Sequence, residues 1–439
     1  MAWVDGDRSG LPPEVQVVLS TASGNPQILH AALQANGALR EGSHFDWSLL
    51  LLVAEWEMAT PVLYTQLRSL MRSGLPIPAP PLDEVREGPP SSALEVLERL
   101  AMIHEFRLRE FEERFERLLR TFEADETNAL ILKGGALALG YYDSMRERPM
   151  SDVDIVVREP DVARVRERAN ALGWQRWGGP VPDAAYDTHH HLRPMEDDVG
   201  LGMKLELHGD VFPEFNPFLY SAADLWSGAE PVGTSGGRPL WGGIVIPSPQ
   251  DLLLHNALHF TWSHSLAHGA WKALRDTQVL VASGRIDWGR FVDRARRSRG
   301  GTGAFWLLTL ARDWAGIAVP SSVVTELDPG IAAPVKRVLM RHFGRGVGPG
   351  EPSPAVLTRK LWELAMRPGS SGHGSIRPWS EADKWLPEES SDNGAAPSPT
   401  ATDPEGTGEE ASIADARPDS TVRKGVRAAR YMAGLLSGS

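Results

Sequence analysis

The sequence contains no cysteine. This absence excludes disulfide bonds, thiolate catalysis and zinc sites built from cysteine. The chain also lacks any apolar run of the roughly 18 residues that a membrane span requires. Its first residues, MAWVDGDRSGLPPEVQ, contain neither the basic region nor the apolar region of a secretory signal. Together these absences predict a cytoplasmic protein.

Basic residues are in the minority. Lysine and arginine number 45 against 57 aspartates and glutamates, and the formal net charge is -12. An acidic chain is repelled by phosphate backbones, so we expect no bulk nucleic-acid binding, although a local basic groove stays open. With 439 residues and 42 % hydrophobic content, the chain is long enough for two or three globular domains.

Residue patterns divide the chain into five parts. Helical periodicity predicts an α-helical N-terminal domain over residues 1–125, with Ser91 or Ser92 as N-cap and Glu95 completing a capping box before the longest apolar repeat. A strand-helix-strand-helix-strand pattern predicts an α/β domain over 126–246. Helical periodicity returns over 247–367 and predicts an α-helical C-terminal domain, and residues 368–420 have the composition of a disordered linker. The pattern over 421–439 predicts a basic amphipathic helix. This helix could dock on the body of the protein or bind a partner or an anionic surface.

Two aspartates alternate with apolar residues in the segment DVDIVV, which is otherwise typical of a buried parallel strand. Because side chains alternate across a strand, Asp152 and Asp154 project from the same face, about 6–7 Å apart. Anions at that separation repel unless a cation lies between them. A strand end with two solvated acids is the alternative interpretation.

A glycine pair and a third carboxylate accompany the aspartates. Gly134 and Gly135 stand where a predicted strand ends and a helix begins, which suits either close approach to a phosphate or an ordinary turn. Glu206 lies between apolar residues of another predicted strand, on the same face as Lys204 and His208. If this strand lies beside DVDIVV, three carboxylates converge, a donor set that suits Mg²⁺ and in-line nucleotidyl or phosphoryl transfer.

These motifs resemble the DNA polymerase β-type minimal nucleotidyltransferase superfamily, and most closely its bacterial uncharacterised nucleotidyltransferase family. The similar stretches are LKG at 132–134, Arg148, DVDIVV at 152–157, HHL with the following proline at 190–194, and ELH at 206–208. The similarity extends over about residues 13–345. It implies an α+β fold, with a small polymerase β-like sheet and flanking helices between the two α-helical domains. The sequence departs from the family at Gly209, where the family usually has tryptophan.

The resemblance implies an enzyme that moves a nucleoside monophosphate from an NTP to a hydroxyl of a small molecule, peptide or protein and releases pyrophosphate. It implies one or two Mg²⁺ ions, replaceable by Mn²⁺. The residues it implies are Asp152, Asp154 and Glu206 as catalytic metal ligands, Lys133, Gly134, Gly135 and Arg148 at the nucleotide, and His190, His191 and His208 at the acceptor. For Lys133 and Arg148, a surface salt bridge explains the charge equally well, and for His190 and His191 a solvated loop is an equal alternative.

Two other hypotheses compete with this one. A non-catalytic or antitoxin-like protein could retain the fold and bind a nucleotide or a partner. A zinc hydrolase could use His255 with His259, or His264 with His268, since each pair has the spacing that places two residues on one helix face. The HNALH segment, however, lacks the glutamate of a metalloprotease motif. We also expect Lys272, Arg275 and Asp276 to face the cleft from the helical region.

Overall fold

The computed structural model describes residues 11–366 except 41–43, 76, 78–91, 180–181, 187–188, 215, 233–240, 267 and 350–354. The predicted linker over 368–420 and the predicted basic helix over 421–439 lie outside the described residues. The described chain forms one mixed seven-stranded sheet flanked by many helices. The predicted α+β class is therefore confirmed.

Among the described residues, five α-helices precede the sheet: α1 (Pro13–Ser20), α2 (Pro26–Ala35), α3 (Trp47–Trp56), α4 (Thr60–Arg72) and α5 (Ala93–Ala124). Helix α5 has 32 residues, and its apolar stripe packs against α4 and the sheet. Ser92 is its N-cap and accepts from the Glu95 amide, while the Glu95 carboxylate accepts from the Ser92 amide. This reciprocal arrangement confirms the predicted capping box.

The sheet and its helices follow. The strands are β1 (Ala129–Ile131), β2 (Asp152–Val157), β3 (Trp174–Arg176), β4 (Met195–Asp197), β5 (Lys204–His208), β6 (Glu230–Pro231) and β7 (Ile244–Ile246). Three helices lie between them: α6 (Lys133–Gly140), α7 (Val162–Ala171) and α8 (Ala222–Ser227). The strand order is β3-β4-β5-β2-β1-β7-β6. Strand β2 is central, parallel to β5 and antiparallel to β1, so it matches the predicted parallel strand on one side only.

Helices also follow the sheet: α9 (Pro249–Leu258), α10 (Ala270–Ala282), α11 (Trp288–Arg297), α12 (Gly301–Ala315), α13 (Ser321–Leu327), α14 (Ala333–Arg345) and α15 (Ala355–Ala365). Helix α9 continues directly into a wider π-helical turn over His259–Ser263. Within the described residues, no helix combines the length and the apolarity that crossing a bilayer requires.

The first and last helical regions share one hydrophobic core. Trp271 of α10 is fully buried, and its indole N–H donates to Thr21 Oγ1 at 2.8 Å. The backbone amide of Trp271 donates to Glu57 Oε2 at 3.0 Å, which satisfies one of the free amides at the start of α10. Burial of an acid raises the pKa of Glu57. The hydrophobic core contains residues from both sides of positions 125 and 246, where the sequence predicts domain boundaries. These boundaries therefore stay predictions.

Burial of His342 on α14 predicts that the free energy of unfolding of the protein depends on pH. Its side chain is buried, and burial together with nearby Arg345 lowers its pKa to about 4. In the unfolded chain a histidine titrates near 6.5, so between these values the unfolded state binds more protons and stability falls as the pH falls. Between pH 6.5 and pH 5 the free energy of unfolding of the wild type should fall by about 1.5 kcal/mol more than that of His342→Phe, which lacks the titrating group.

Urea unfolding at the two pH values measures this difference, with His44→Phe, a substitution at an exposed position, as the control. Equal pH dependence in the wild type and His342→Phe would contradict the interpretation.

Candidate active site

The three predicted carboxylates meet in the middle of the sheet. The register of the parallel strands pairs Asp154 on β2 with Glu206 on β5, and Asp152 with Lys204. Oxygen and nitrogen atoms of Asp154, Glu206 and His208 lie within 4.8 Å of one another. Asp152 projects from the same face of β2, two residues before Asp154. The sequence predicts that the acids converge if these two strands are neighbours. In the structure the strands are paired.

Asp154 is the most enclosed of the three acids, with a relative exposure of 2 %. Its Oδ1 atom accepts from Lys133 Nζ at 2.7 Å and contacts His208 Nε2 at 2.8 Å. Burial alone would raise its pKa, but Lys133 and His208 hold the pKa well below the usual value. Asp154 is therefore ionised, and two cationic or proton-donating side chains converge on it.

The other two acids have different surroundings. Burial, followed by repulsion from Asp154 and Glu206, raises the pKa of Asp152. For Glu206, burial is outweighed mainly by the hydrogen bond from His208, and the pKa is lowered. Three carboxylates in one buried cluster repel, so a further cation would relieve a charge imbalance that is greatest at Asp152.

Lys133 adopts an unusual backbone conformation at the start of α6. Its φ angle is +44°, in the left-handed region that side-chain-bearing residues rarely adopt. The preceding amide, that of Leu132, donates to the Asp154 carbonyl at 2.9 Å, so the chain is tied to β2 immediately before the strained residue. Strain of this kind concentrates at functional sites. Here the residue with the unusual backbone conformation is the one whose ammonium group donates to Asp154.

The glycine pair occupies a different place from the one predicted. Strand β1 ends at Ile131 and α6 begins at Lys133, so Gly134 and Gly135 lie within the first helical turn. A Cβ on Gly134 would lie 3.2 Å from the Arg148 guanidinium, and one on Gly135 would lie 2.9 Å from Ile131 Cγ2. Both glycines therefore have a packing reason for lacking a side chain, and their contact with a nucleotide stays a prediction.

Arg148 is buried in an ion pair. Its Nε and Nη2 atoms donate to the two carboxylate oxygens of Asp276 on α10, each at 2.8 Å, and Nη1 donates to the Pro149 carbonyl at 2.7 Å. Tyr142 also donates to Asp276, at 2.9 Å. The salt bridge considered for Arg148 is thus present but buried, and it joins the sheet region to α10. Nucleotide binding by Arg148 stays a prediction.

The three histidines predicted at the acceptor lie together beside Glu206. The ring centroids of His190 and His191 are 5.2 Å and 5.1 Å from that of His208. His191 Nε2 lies 3.7 Å from Glu206 Oε2. His189 extends this cluster toward solvent and forms, with His190 and His191, a second group with three potential metal ligands.

Lys272 on α10 faces the opposite end of the carboxylate cluster. Its charge favours ionisation of Asp152, whose own charge stabilises the ammonium group. In the part of the chain that the structure describes, no carboxylate lies within ion-pair distance of Lys272 Nζ, and its closest polar contact is Met58 Sδ at 3.8 Å. Burial and then Arg148 lower its pKa. Lys272 therefore lies close enough to Asp152 for the two charges to interact, and its position in the cleft stays a prediction. Asp276, expected beside it, is instead buried in the ion pair with Arg148.

The other histidine pairs do not form a metal site. His264 and His268 follow the end of the π-helical turn, so they do not share a helix face, and that prediction was wrong. His255 is buried against Phe212 with ring centroids 5.6 Å apart, and burial lowers its pKa to about 3. Among the described residues, none of these histidines joins two further potential ligands. The zinc hydrolase hypothesis therefore has no support in the described residues.

A hard divalent cation fits the carboxylate cluster. Mg²⁺ prefers oxygen donors and takes only a few from protein, and Asp152, Asp154 and Glu206 supply such donors on adjacent strands. Burial and then repulsion from Asp154 and Glu206 raise the pKa of Asp152, and a bound cation would oppose both effects. The donor set also suits Mn²⁺.

Comparison with known proteins identifies the family of the chain. A model of the family described as Uncharacterised nucleotidyltransferase matches residues 43–316, from the region before α3 to the end of α12. No similar protein was found among the curated proteins, and none among the solved structures. The family match includes all three carboxylates and more than half of the 439 residues. The chain therefore belongs to the uncharacterised nucleotidyltransferase family.

Proposed function

We propose that the protein is a Mg²⁺-dependent enzyme that transfers a nucleoside monophosphate from an NTP to a hydroxyl group and releases pyrophosphate. Membership of a nucleotidyltransferase family supports the general reaction. The observation that carries the proposal is the β2–β5 register, which places Asp154 directly beside Glu206 with Asp152 on the same strand face. An exclusively structural role would not require three carboxylates in one partly buried cluster.

The two ends of the carboxylate cluster suit the two substrates. Lys133 and Lys272 supply positive charge near Asp152 and Asp154, where they would bind the triphosphate. Glu206, with His191 and His208 beside it, faces the histidine end, where an acceptor hydroxyl would lie. When bound, Mg²⁺ would neutralise phosphate charge and acidify the hydroxyl. Glu206 is then the candidate for a ligand or for the acceptor of the hydroxyl proton.

The acceptor can be sought directly. Purified protein is incubated with each labelled NTP, Mg²⁺ and a cell extract, and the labelled products and released pyrophosphate are measured. We expect one or more labelled species that disappear with EDTA and return with excess Mg²⁺ or Mn²⁺. NTP binding that is indifferent to Mg²⁺, with no labelled product from any extract, would instead favour a non-catalytic binding protein.

Removal of the Lys272 charge is expected to weaken NTP binding. Lys272→Met preserves much of the side-chain volume but removes the ammonium group near Asp152. Hydrogen bonds to charged groups contribute about 1.5–3 kcal/mol, so we expect KM for the NTP to rise about tenfold or more. Steady-state kinetics at saturating acceptor measures this change. The control is Lys360→Met, which alters an exposed lysine on α15, and equal KM values for the two variants would exclude Lys272 from the nucleotide site.

A further inference from the structure

A large cavity opens beside the histidine end of the carboxylate cluster. Its volume is about 950 Å³, enough for a ligand of several hundred daltons. His190 lines the cavity, and its ring lies 5.2 Å from that of His208, whose Nε2 atom contacts Asp154. Gly209 and Asp210 line it as well, and they directly follow β5. The rings of His190 and His208 therefore lie between a ligand in this cavity and Asp154.

The absence of a side chain at Gly209 keeps this part of the cavity open. The amide of Gly209 donates to the His190 carbonyl at 2.9 Å, an interaction that any non-proline residue can make. Its φ angle is not in the left-handed region, and the nearest atom to an added Cβ would be the His190 carbonyl oxygen, at 4.0 Å. Neither backbone conformation nor close packing therefore requires glycine. Glycine at this position therefore leaves part of the cavity unfilled that a larger side chain would occupy.

The lining of the cavity carries negative charge. Asp210, Glu214 and Asp224 are among the lining residues, and none of the described lining residues is lysine or arginine. The negative charge of Asp224 is partly balanced by Arg294, which does not line the cavity and whose Nη1 atom is 3.4 Å from Asp224 Oδ1. Glu214 is exposed. The cavity therefore attracts cations and disfavours anions.

The lining is also aromatic. Phe212, Phe218 and Tyr220 line the cavity, with the Phe212 ring 5.4 Å from Phe218 and 6.5 Å from Tyr220. Phe212 and Phe218 are exposed by only 3 % and 6 %, and Arg294 lies over the Tyr220 ring with its Cζ atom 5.3 Å from the centroid. The rings therefore supply an apolar wall, and the carboxylates supply the attraction for a cation.

We propose that this cavity binds the acceptor, and that the acceptor is a small molecule that carries one or more amino groups in addition to the hydroxyl that the reaction requires. The identification as the acceptor rests on the proposed function, whereas the preference for a cationic ligand rests on the cavity alone. Asp210 and Asp224 help to hold the cavity in shape, since Asp210 accepts from the amide of Ala222 at 2.7 Å and Asp224 from that of Ser221 at 3.0 Å. Glu214 is the acid best placed to contact the ligand directly.

Binding without turnover tests the cavity separately from the reaction. The probe is the fully deacetylated glucosamine trisaccharide, with its neutral N-acetylated form as the matched control, and ligand-observed NMR on the full chain gives the affinities without NTP or metal. We expect the amine form to bind at least tenfold more tightly than the neutral form. Gly209→Trp should abolish this binding, Glu214→Gln should weaken it about threefold or more, and Glu116→Gln, on the exposed face of α5, should leave it unchanged.

Equal binding of the amine and neutral forms would overturn the proposal, as would unchanged binding in both Gly209→Trp and Glu214→Gln. Preferential binding of a lysine-rich, serine-containing peptide over the trisaccharide would also overturn it. Thermal unfolding of Gly209→Trp shows whether that variant folds, and Glu214→Gln supplies the test if it does not. Cation binding in a protein that transfers no nucleotide would leave the cavity assignment intact and contradict only the proposed function.

Discussion

Replacement of Asp152 and Asp154 by alanine is expected to lower nucleotidyl transfer by at least about a thousandfold. Metal-assisted charge stabilisation contributes several kcal/mol to a transition state, and each 1.4 kcal/mol corresponds to a factor of ten in rate. The two aspartates supply two of the three carboxylates on the paired strands β2 and β5. Pyrophosphate release by the wild type and the double variant, with the same NTP and acceptor, measures the loss.

The control must separate catalysis from folding, because Asp154 also binds Lys133 and His208. Asp154→Asn preserves the shape of the side chain, and its thermal unfolding shows whether the sheet remains intact. Asp161→Asn changes an acid outside β2 that pairs with Arg164, and it should retain full activity. Turnover at the wild-type rate in a folded double variant would contradict the proposed metal site.

The second large effect is expected at the buried ion pair between Arg148 and Asp276. Asp276→Asn leaves the guanidinium group of Arg148 buried without a counter-charge, which typically costs about 3–5 kcal/mol. Arg148 and Asp276 have relative exposures of 8 % and 2 %, so solvent compensates little of this loss. Urea unfolding should therefore show a much lower midpoint for Asp276→Asn than for the wild type.

A combined variant distinguishes the structural role of Arg148 from its predicted role at the nucleotide. Arg148→Met and Asp276→Leu, together with Tyr142→Phe, remove both charges and the hydroxyl that donates to Asp276, and apolar replacement of a complete buried polar group is often neutral for stability. We expect this variant to recover most of the stability that Asp276→Asn loses. If KM for the NTP is then unchanged, Arg148 acts through α10 alone; a raised KM would assign it a direct nucleotide contact. A loss below about 1 kcal/mol in Asp276→Asn would contradict the structural role.

Local patterns made much of the site predictable from the sequence. Alternation along β2 and β5 assigns Asp152, Asp154 and Glu206 to specific strand faces, and Ser92 with Glu95 marks the start of α5. These features depend on residues close together in the chain. The strand pairing that brings Glu206 to Asp154 depends on residues far apart in the chain. From the sequence alone, the convergence of the acids could therefore be predicted only on the assumption that the two strands are neighbours.

Other features could not be predicted because no local signal encodes them. The short strands β3, β4, β6 and β7 contain only two or three residues each, too few for a periodic pattern. The bidentate contact of Arg148 with Asp276 joins residues 128 positions apart. The cavity beside Gly209 depends on what surrounds that glycine, and the sequence shows only a departure from the family. The π-helical turn after α9 likewise displaces His264 from the helical spacing that its sequence position implies.

The shared core of the first and last helical regions has a consequence for folding during synthesis. The hydrogen bond between Thr21 and Trp271 joins residues 250 positions apart. At about 5–20 residues per second, a ribosome needs roughly 12–50 s to synthesise the intervening chain. Throughout that time the apolar surface of α1 that α10 and α12 cover in the folded protein lacks these two partners. A nascent chain that ends before α10 is therefore expected to recruit chaperones, and one that extends beyond α12 to resist proteolysis.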